Sequence, residues 1–368
     1  MTSSERKKGV FFQRIVAITS TLFFCFLILE VGLRATGHTP TNITDGIFEQ
    51  FRNSYRLKKN IKKVSHTPSF TCIVNTNSYG FRDKKSGIRE IGGKPYVVFL
   101  GESLTFANGV EYEQSFVGVF ARRANDHGIE VLNMAVGGHY LGEQEDILAE
   151  FAESALLKPT KVIICFSPSF ISSFDAGHDN IIVKKGYLFQ QGRWFVPYLK
   201  VAFSNTLSSY CFFRDNIRQL QARLFKAYPG NVSCLLSIYE KRTNRFSNPE
   251  AMEKFEAALA RLENYVYSLG ALPIYVYLPL SSDLILEGIV RKMGEDPADY
   301  DISIYFNLLK AHCEKQKIQL VNTAPVLKKY HDQGHLLSFL LDGHYNAFAN
   351  RLIGEYLYRE IFHPDSGT

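Results

Sequence analysis

The chain has 368 residues, of which 46% are hydrophobic and 21% charged. This composition is typical of a globular protein with a substantial core, and the length allows one large domain or two small ones. The formal net charge of +6 is modest and no basic run is long enough to form an arm, so the sequence gives no indication of a nucleic-acid partner.

The amino terminus differs from the rest of the chain. An apolar stretch runs from Ile15 to Leu33 and is interrupted only by Glu30. Together with Phe11 and Phe12 it is long enough to cross a bilayer, which takes about 20 residues. No small-residue cleavage pattern follows it, so the sequence favours an uncleaved transmembrane anchor over residues 1–34 rather than a secretory signal peptide.

Charge predicts the orientation of this anchor. The basic residues that precede the span outnumber Arg34 after it; they are Arg6, Lys7, Lys8 and Arg14. The positive-inside rule then places the amino terminus in the cytoplasm and the rest of the chain outside it, in the periplasm or at the cell surface. Glu30 and Arg34 lie four residues apart on one helix face, where they are able to pair.

Residues 35–70 are polar and aperiodic, which favours a linker that leads away from the membrane. The remaining segment, residues 71–362, is predicted to be the globular domain. Two of the six cysteines, Cys211 and Cys234, could form a disulfide in an oxidising compartment, although nothing in the sequence requires it.

Strands and helices alternate through the globular domain. Predicted strands cover Tyr96–Leu100, Ile129–Met134, Lys161–Phe166, Leu272–Leu278 and Ile318–Val321; predicted helices cover 113–127, 143–157, 248–270, 301–315 and 346–361. Short connections between such elements indicate a three-layer αβα fold with a central parallel sheet.

A segment of about 80 residues, roughly 170–247, interrupts this alternation. It contains a predicted hairpin, Tyr187–Phe189 and Arg193–Phe195 around residues 190–192, and many aromatic residues between basic ones. One interpretation is a satellite subdomain whose aromatic side chains pack inward. The other is a lid that shapes the substrate pocket or rests on the membrane surface.

Ser103 follows the first predicted strand of the sheet by three residues and precedes a helical pattern. Ligands of α/β folds bind at the carboxyl ends of the strands, so a serine there is a candidate nucleophile. The G-x-S-x-G nucleophile turn is not met, because Thr105 occupies the position of its second glycine.

A second candidate group stands at the start of the last helix. Asp342 precedes His344 by two residues, so its carboxylate is able to orient the imidazole and favour the imidazolium. Two other histidines, His331 and His335, lie four residues apart, but the sequence predicts a glycine-containing loop there and offers no third metal ligand.

These motifs resemble the SGNH (GDSL-type) hydrolase family. Gly101-Glu102-Ser103 matches the family's Gly-Asp-Ser block with one conservative change, and residues 133–138 match Asn-x-Gly-x-x-Gly with Ala135 in place of the first glycine. Residues 342–346 match the last block, and residues 77–83 resemble the Asn-x-x-Gly-Phe-Arg stretch of membrane-anchored bacterial members. The resemblance covers about residues 75–361 and implies an SGNH, flavodoxin-like αβα fold.

The resemblance also implies residue roles. Ser103 would be the nucleophile, His344 its general base and Asp342 the orienting carboxylate. The N–H groups of Ser103 and Gly138 would hold the oxyanion, and Ser169 stands about where the family has an oxyanion-hole asparagine. That replacement, and Glu102 in place of aspartate, imply slow or specialised catalysis, or none.

The function implied is that of a membrane-anchored, extracytoplasmic serine esterase acting on acyl esters, of O-acetyl or lipid type. Transfer of an acyl group to a cell-surface glycan is one alternative. A non-catalytic protein that binds glycan or lipid, or that scaffolds an envelope complex, is the other. No metal or organic cofactor is implied.

Overall fold

The computed structural model describes residues 3–38, 40, 46–67, 69–84, 94–154, 158–177, 180–224, 236–339 and 342–363. Within these residues the strands are β1 (Phe48–Phe51), β2 (Ser54–Leu57), β3 (Lys62–His66), β4 (Thr71–Asn75), β5 (Tyr96–Leu100), β6 (Glu130–Asn133), β7 (Lys161–Phe166), β8 (Ile181–Lys184), β9 (Tyr187–Gln190), β10 (Leu272–Tyr277) and β11 (Gln319–Asn322).

The helices of the same residues are α1 (Ser3–Ala35), α2 (Ser103–Phe106), α3 (Phe116–Asn125), α4 (Leu141–Ser154), α5 (Pro168–Ser172), α6 (Phe195–Thr206), α7 (Ser208–Leu224), α8 (Pro249–Ser268), α9 (Leu286–Met293), α10 (Ile304–Gln316), α11 (Ala324–Asp332) and α12 (Ala347–Phe362). Residues 44–192 and 228–368 form one compact unit, and residues 1–43 and 193–227 form a second.

The first unit is built on a five-stranded sheet in the order β11-β10-β7-β5-β6, in which every neighbouring pair is parallel. Its strands are short runs of apolar, often β-branched residues, as expected of strands that are covered on both faces. Val98 of β5, for example, pairs with Leu132 and with Val162, and all three are buried. The five strands predicted from the sequence are confirmed to within one residue at each end.

Each face of the sheet supports its own hydrophobic core. On one face Val98, Leu100 and Ile164 pack with residues of α4, α8 and α10. On the other face Val97, Phe99 and Ile163 pack with residues of α3 and α12. Alternate side chains of one strand therefore serve opposite layers, and the predicted three-layer αβα fold is confirmed.

The segment predicted as a linker, residues 35–70, contains structure from Phe48 onward. β1 pairs with β2 and β3 with β4, both antiparallel. Ile47, Phe48, Tyr55 and Leu57 are buried in the core. The linker prediction is wrong for these residues because strands of four or five residues are too short to give a periodic signal.

The hairpin of the segment 170–247 lies earlier than predicted, because Tyr187–Phe189 belongs to its second strand, β9, and not to its first. β8 pairs with β9 around Lys185 and Gly186, which both have positive φ, 53° and 86°. Two central residues with positive φ make the mirror-image turn that suits a hairpin. Phe195, assigned to a strand by the sequence, instead begins α6. Cys234 lies outside the described residues, so a bridge to Cys211 stays a prediction.

The second unit contains α1, α6 and α7. Phe11–Ala35 of α1 is long and apolar enough to cross a membrane; the mean hydropathy of its most apolar stretch is 2.2, with 6% of that stretch buried. A signal sequence at an amino terminus satisfies the same criterion. Glu30 of α1 contacts the first residues of α7.

Candidate active site

Ser103 is the first residue of α2 and follows β5 at the carboxyl edge of the sheet. The turn between them requires a glycine, because a Cβ on Gly101 would lie 2.2 Å from Oγ1 of the buried Thr105. Because Thr105 lies so close to Gly101, the chain passes directly from the strand into the helix. The Ser103 side chain is therefore set at a tight strand-to-helix turn, as the sequence predicted.

Asn133, at the end of the neighbouring strand β6, holds α2 against the sheet. Its amide Nδ2 donates to the carbonyl of Thr105 at 3.0 Å, and its Oδ1 accepts from the backbone N–H of Ala135 at 3.1 Å. Asn133 is fully buried, so both bonds are shielded from water. The asparagine of the second motif thus joins the α2 helix to the turn that follows β6.

Arg82, from the upstream motif, supports the other end of α2. Its guanidinium donates to the carbonyls of Phe106, Ala107 and Val110, at 2.6 Å for Ala107. The side chain is 1% exposed, and burial lowers its pKa. A fork of donors suits several carbonyls at once. Arg82 therefore satisfies carbonyls that the short helix leaves without partners.

Gly137 and Gly138 form a turn beside Ser103. A Cβ on Gly137 would lie 3.6 Å from the Cβ of Ser103, so the two segments are in contact. Gly138 has φ +84°, and a Cβ there would lie 2.6 Å from Oη of Tyr55, which donates to the Gly137 carbonyl at 3.0 Å. Within the described chain, the N–H groups of Ser103 and Gly138 donate to no protein acceptor.

His344 and Asp342 are paired just before α12. Oδ1 of Asp342 is hydrogen-bonded to Nδ1 of the imidazole and lies 3.4 Å from the His344 backbone N. The partial burial of Asp342 acts to raise its pKa, but the hydrogen bonds and charge of His344 outweigh it, so the pKa lies below its usual value. Since Nδ1 faces the carboxylate, Nε2 is the nitrogen left to exchange a proton.

Asn108 lies between this pair and Ser103. Its backbone N–H donates to the Ser103 carbonyl at 3.3 Å, and its Nδ2 lies 3.5 Å from Nε2 of His344. Among the described residues, the Ser103 hydroxyl makes no hydrogen bond, to His344 or to any other side chain. Ser103 and His344 thus share a neighbour without a direct bond, and no motif in the sequence singled out Asn108.

Glu102 makes an unexpected connection to the carboxyl end of β7. Its Oε1 accepts hydrogen bonds from the hydroxyls of Ser167 and, at 3.1 Å, of Ser169, and the two hydroxyls are 2.8 Å apart. Desolvation raises the pKa of Glu102, while the two hydroxyls and the nearby His344 oppose this. The Ser169 proton is directed at Glu102 here, so its predicted place in the oxyanion hole requires that bond to be exchanged.

Three further histidines lie apart from the Asp342–His344 pair. His331 lies in the last turn of α11 and not in the predicted loop, and the ring of His335 stacks on Phe348 at 4.7 Å. His139 is buried, with Nε2 2.8 Å from the Tyr55 carbonyl oxygen. In the described part of the chain no three His, Cys, Asp or Glu side chains are grouped to hold a metal ion.

Comparison with known proteins gave similar folds only. No family model matches the chain, and no curated protein is similar to it. Solved structures that resemble it include TesA, with 14% identity, a TM-score of 0.38, and coverage of 73% of this chain and 98% of that one.

Two further structures are similar to the same degree. The psychrotrophic esterase EstA from Pseudoalteromonas sp. has 15% identity and a TM-score of 0.37, covering 72% of this chain and 96% of its own. A catalytic mutant of the acetylxylan esterase Axe2 from Geobacillus stearothermophilus has 12% identity and a TM-score of 0.41, covering 73% and 94%. These values are too low to transfer an activity or a residue role.

Proposed function

We propose that this chain is a serine esterase that uses Ser103, His344 and Asp342. The observation that carries the proposal is the Asp342–His344 hydrogen bond at the sheet edge where β5 delivers Ser103, with Asn108 in contact with both segments. A serine, a histidine and a carboxylate that orients the histidine form the arrangement required for acyl transfer through a covalent intermediate.

In this mechanism the Ser103 hydroxyl attacks the acyl carbon and its proton passes to Nε2 of His344. Asp342 holds the ring through Nδ1 and stabilises the imidazolium. The proton then goes to the departing alcohol oxygen, and water, activated by the same nitrogen, hydrolyses the acyl-serine. Apo sites often hold these groups further apart than the reacting complex does, so Ser103 must turn toward His344 when substrate binds.

The developing oxyanion is held by the backbone N–H groups of Ser103 and Gly138. Their lack of acceptors in the described chain supports this role. Ser169 acts by fixing Glu102, its hydrogen-bond acceptor at 3.1 Å. Loss of one oxyanion donor typically costs about 100- to 1,000-fold in rate, so a hole with two donors supports slow or specialised turnover.

The enzyme is anchored by α1, with its amino terminus in the cytoplasm and its larger unit outside. The apolar length of Phe11–Ala35 supports the span, and the basic residues before it support the orientation. The contacts of Glu30 and Arg34 with residues 206–209 support an uncleaved helix, because a removed signal peptide would leave those partners unsatisfied.

A groove lined in part by charged side chains supports an ester carried by a hydroxyl-rich molecule as the substrate. Its lining includes Tyr140, which follows Gly138 by two residues in the chain, together with Asp175 and Arg261. Ion pairs line it, among them Arg261–Glu145 at 2.6 Å. Polar and aromatic walls of this kind suit a glycan, so O-acetylated glycan is the substrate class we favour, and transfer to a glycan hydroxyl is the alternative outcome of the same acyl-enzyme.

Labelling with a fluorophosphonate probe tests the proposal on the full-length chain in detergent. We expect the parent to be labelled and Ser103→Ala and His344→Ala to be unlabelled, with exposed-site controls Ser268→Ala and His127→Ala labelled as the parent. Labelling that persists in Ser103→Ala would refute the mechanism. A folded parent that is never labelled would favour a non-catalytic binding protein.

A further inference from the structure

The turn between α6 and α7 is fastened to the outer end of α1. Both oxygens of Glu30 accept backbone N–H groups at the start of α7, from Ser208 and Ser209, each at 2.9 Å. Arg34 pairs with Glu30 at 2.8 Å and donates to the carbonyl of Thr206, the last residue of α6, at 2.7 Å. Each charge meets the helix end of opposite polarity.

These contacts are shielded from water. Glu30 is 8% exposed, and Ser208 and Ser209 are buried with it. Leu33 and Cys211 are buried at the same junction, and the ring of His38 lies edge-on to Phe212 at 5.3 Å. A carboxylate that is buried with two N–H groups and a guanidinium is well satisfied, so this junction is a fixed point of the second unit.

The position of Glu30 in α1 sets the depth of the α6–α7 turn. The apolar stretch Phe11–Ala35 has 25 residues, which at 1.5 Å per residue is about 37 Å, against a hydrocarbon thickness of about 30 Å. Glu30 precedes Ala35 by five residues, or about 8 Å. If α1 spans a bilayer, the turn that Glu30 holds lies level with the boundary between headgroups and acyl chains.

Helices α6 and α7 each present an apolar face to their surroundings. Val196 and Phe203, seven residues apart, lie on one side of α6, next to Phe195. On α7 the spacing of Phe213, Ile217 and Leu220 forms one face. The exposed fractions of these side chains range from 44 to 61%.

The polar residues of the two helices are arranged as expected at a membrane boundary. Arg214 pairs with Asp215 through Nε at 2.8 Å and through Nη2 at 3.2 Å, and its Nη1 donates to the Ser204 hydroxyl of α6 at 2.9 Å. Trp194 contacts Tyr198 at the start of α6, with ring centroids 6.2 Å apart. Tryptophan and tyrosine concentrate where headgroups meet acyl chains.

We propose that α6 and α7 form a membrane-embedded hairpin whose apolar faces contact the acyl chains of the leaflet that surrounds the outer end of α1. The inference rests on the anchor proposed above and goes beyond it, because a single spanning helix needs no second contact with lipid. An amphipathic pair of helices at the interface adds buried apolar area. It also fixes how α1 is rotated about its own axis.

Trp194 is the only tryptophan of the chain, so its fluorescence reports on this hairpin alone. The full-length chain is reconstituted in phosphatidylcholine vesicles whose acyl chains carry bromine either near the glycerol end or near the methyl end. We expect strong quenching by the first lipid, weaker quenching by the second, and poor quenching by acrylamide in water. Absence of quenching by both lipids, with full access to acrylamide, would overturn the proposal and favour a hairpin exposed to water or to a protein partner.

Separate readouts identify which proposal fails. Flotation with the vesicles after an alkaline wash tests the anchor, and fluorophosphonate labelling tests the esterase, so either can fail while quenching is measured independently.

Glu30→Ala, which removes the acceptor of Ser208 and Ser209, should reduce the bromolipid quenching of Trp194 without releasing the chain from the vesicles. Tyr267→Ser, at an exposed site of the other unit, should leave quenching unchanged. Equal quenching in Glu30→Ala and the parent would show that this carboxylate does not hold the hairpin.

Discussion

Replacing Arg82 by methionine tests whether the upstream motif supports α2, the helix that begins at Ser103. The change removes three hydrogen bonds from a charged donor to the carbonyls of Phe106, Ala107 and Val110. Bonds of this kind contribute about 1.5–3 kcal/mol each, or roughly 5–9 kcal/mol for three if they add. These values are already net of desolvation, and three bonds of one side chain do not add fully, so we expect a loss of about 3–4 kcal/mol, below their sum.

Thermal unfolding of the full-length chain measures this loss. The larger unit has about 290 residues, so its unfolding entropy of about 2.1 cal/mol/K per residue turns 3–4 kcal/mol into a Tm lowered by about 5–7 °C. Arg82→Lys should fall between parent and methionine, because one ammonium replaces the fork. The exposed Arg123→Met serves as the matched control and should change stability by less than about 0.5 kcal/mol.

The rate at which Ser103 is labelled tells whether Arg82 positions α2 or only stabilises the fold. At a temperature where Arg82→Met is still folded, we expect slower fluorophosphonate labelling, because the end of α2 has lost its donors. An unchanged Tm in Arg82→Met, or a loss equal to that of Arg123→Met, would refute the assignment. An altered Tm with an unchanged labelling rate would show that Arg82 stabilises the fold without positioning Ser103.

Two further predictions concern the carboxyl groups of Asp283 and Glu102. Burial raises the pKa of Asp283 to about 7 from 3.8, so between these values the folded chain holds a proton that the unfolded chain loses. Stability should then fall as pH rises, by at most about 1.4 kcal/mol per unit, and Asp283→Asn should flatten that slope in thermal unfolding; an unchanged slope would contradict the assignment. In a double-mutant cycle of Glu102→Asp and Ser169→Asn, labelling rates should show a coupling of about 0.5–3 kcal/mol, and additive effects would mean that the two residues act separately.

The sheet was predictable because its strands are buried on both faces. Runs such as Tyr96–Leu100 and Lys161–Phe166 are almost wholly apolar and end at turns, which is a strong local signal. β2, by contrast, has four residues that are mostly buried yet include Ser54 and Arg56. Its burial depends on partners distant in sequence, so no local pattern revealed it.

The hairpin error has a local cause. The turn at 185–186 pairs a lysine with φ 53°, a residue type that gives no turn signal, with Gly186; Gly192 offered a competing turn two residues after β9 ends. The position of a turn is also set by contacts with residues distant in the sequence, which no local pattern reveals. β8 has such a contact, since the N–H of Val183 donates to the side chain of Gln50 at 3.0 Å.

The candidate site was predictable in its chain positions and not in its side-chain contacts. The sequence placed Ser103, Gly138 and the Asp342–His344 pair at strand and helix ends, and parallel topology brings such ends to one edge. The reach of Asn108 toward His344 depends on the path of the chain after α2. That path is held by Arg82, a residue of the upstream motif whose contact with Ala107 depends on burial and was not predictable from the motif.

Two departures of this chain from the motifs that it resembles, Glu102 and Ser169, are physically connected. Glu102 is one methylene longer than the usual aspartate, and its carboxylate reaches the hydroxyls of Ser167 and Ser169 at the end of the adjacent strand. An asparagine at 169 would place a larger amide beside that carboxylate, and an aspartate at 102 would withdraw from the serines. Ser169 is therefore explained as the partner of a longer acid and is not independent support for lost catalysis. An oxyanion hole reduced to two backbone donors would follow from this pairing, and with it the slow acyl transfer that the labelling experiments are designed to detect.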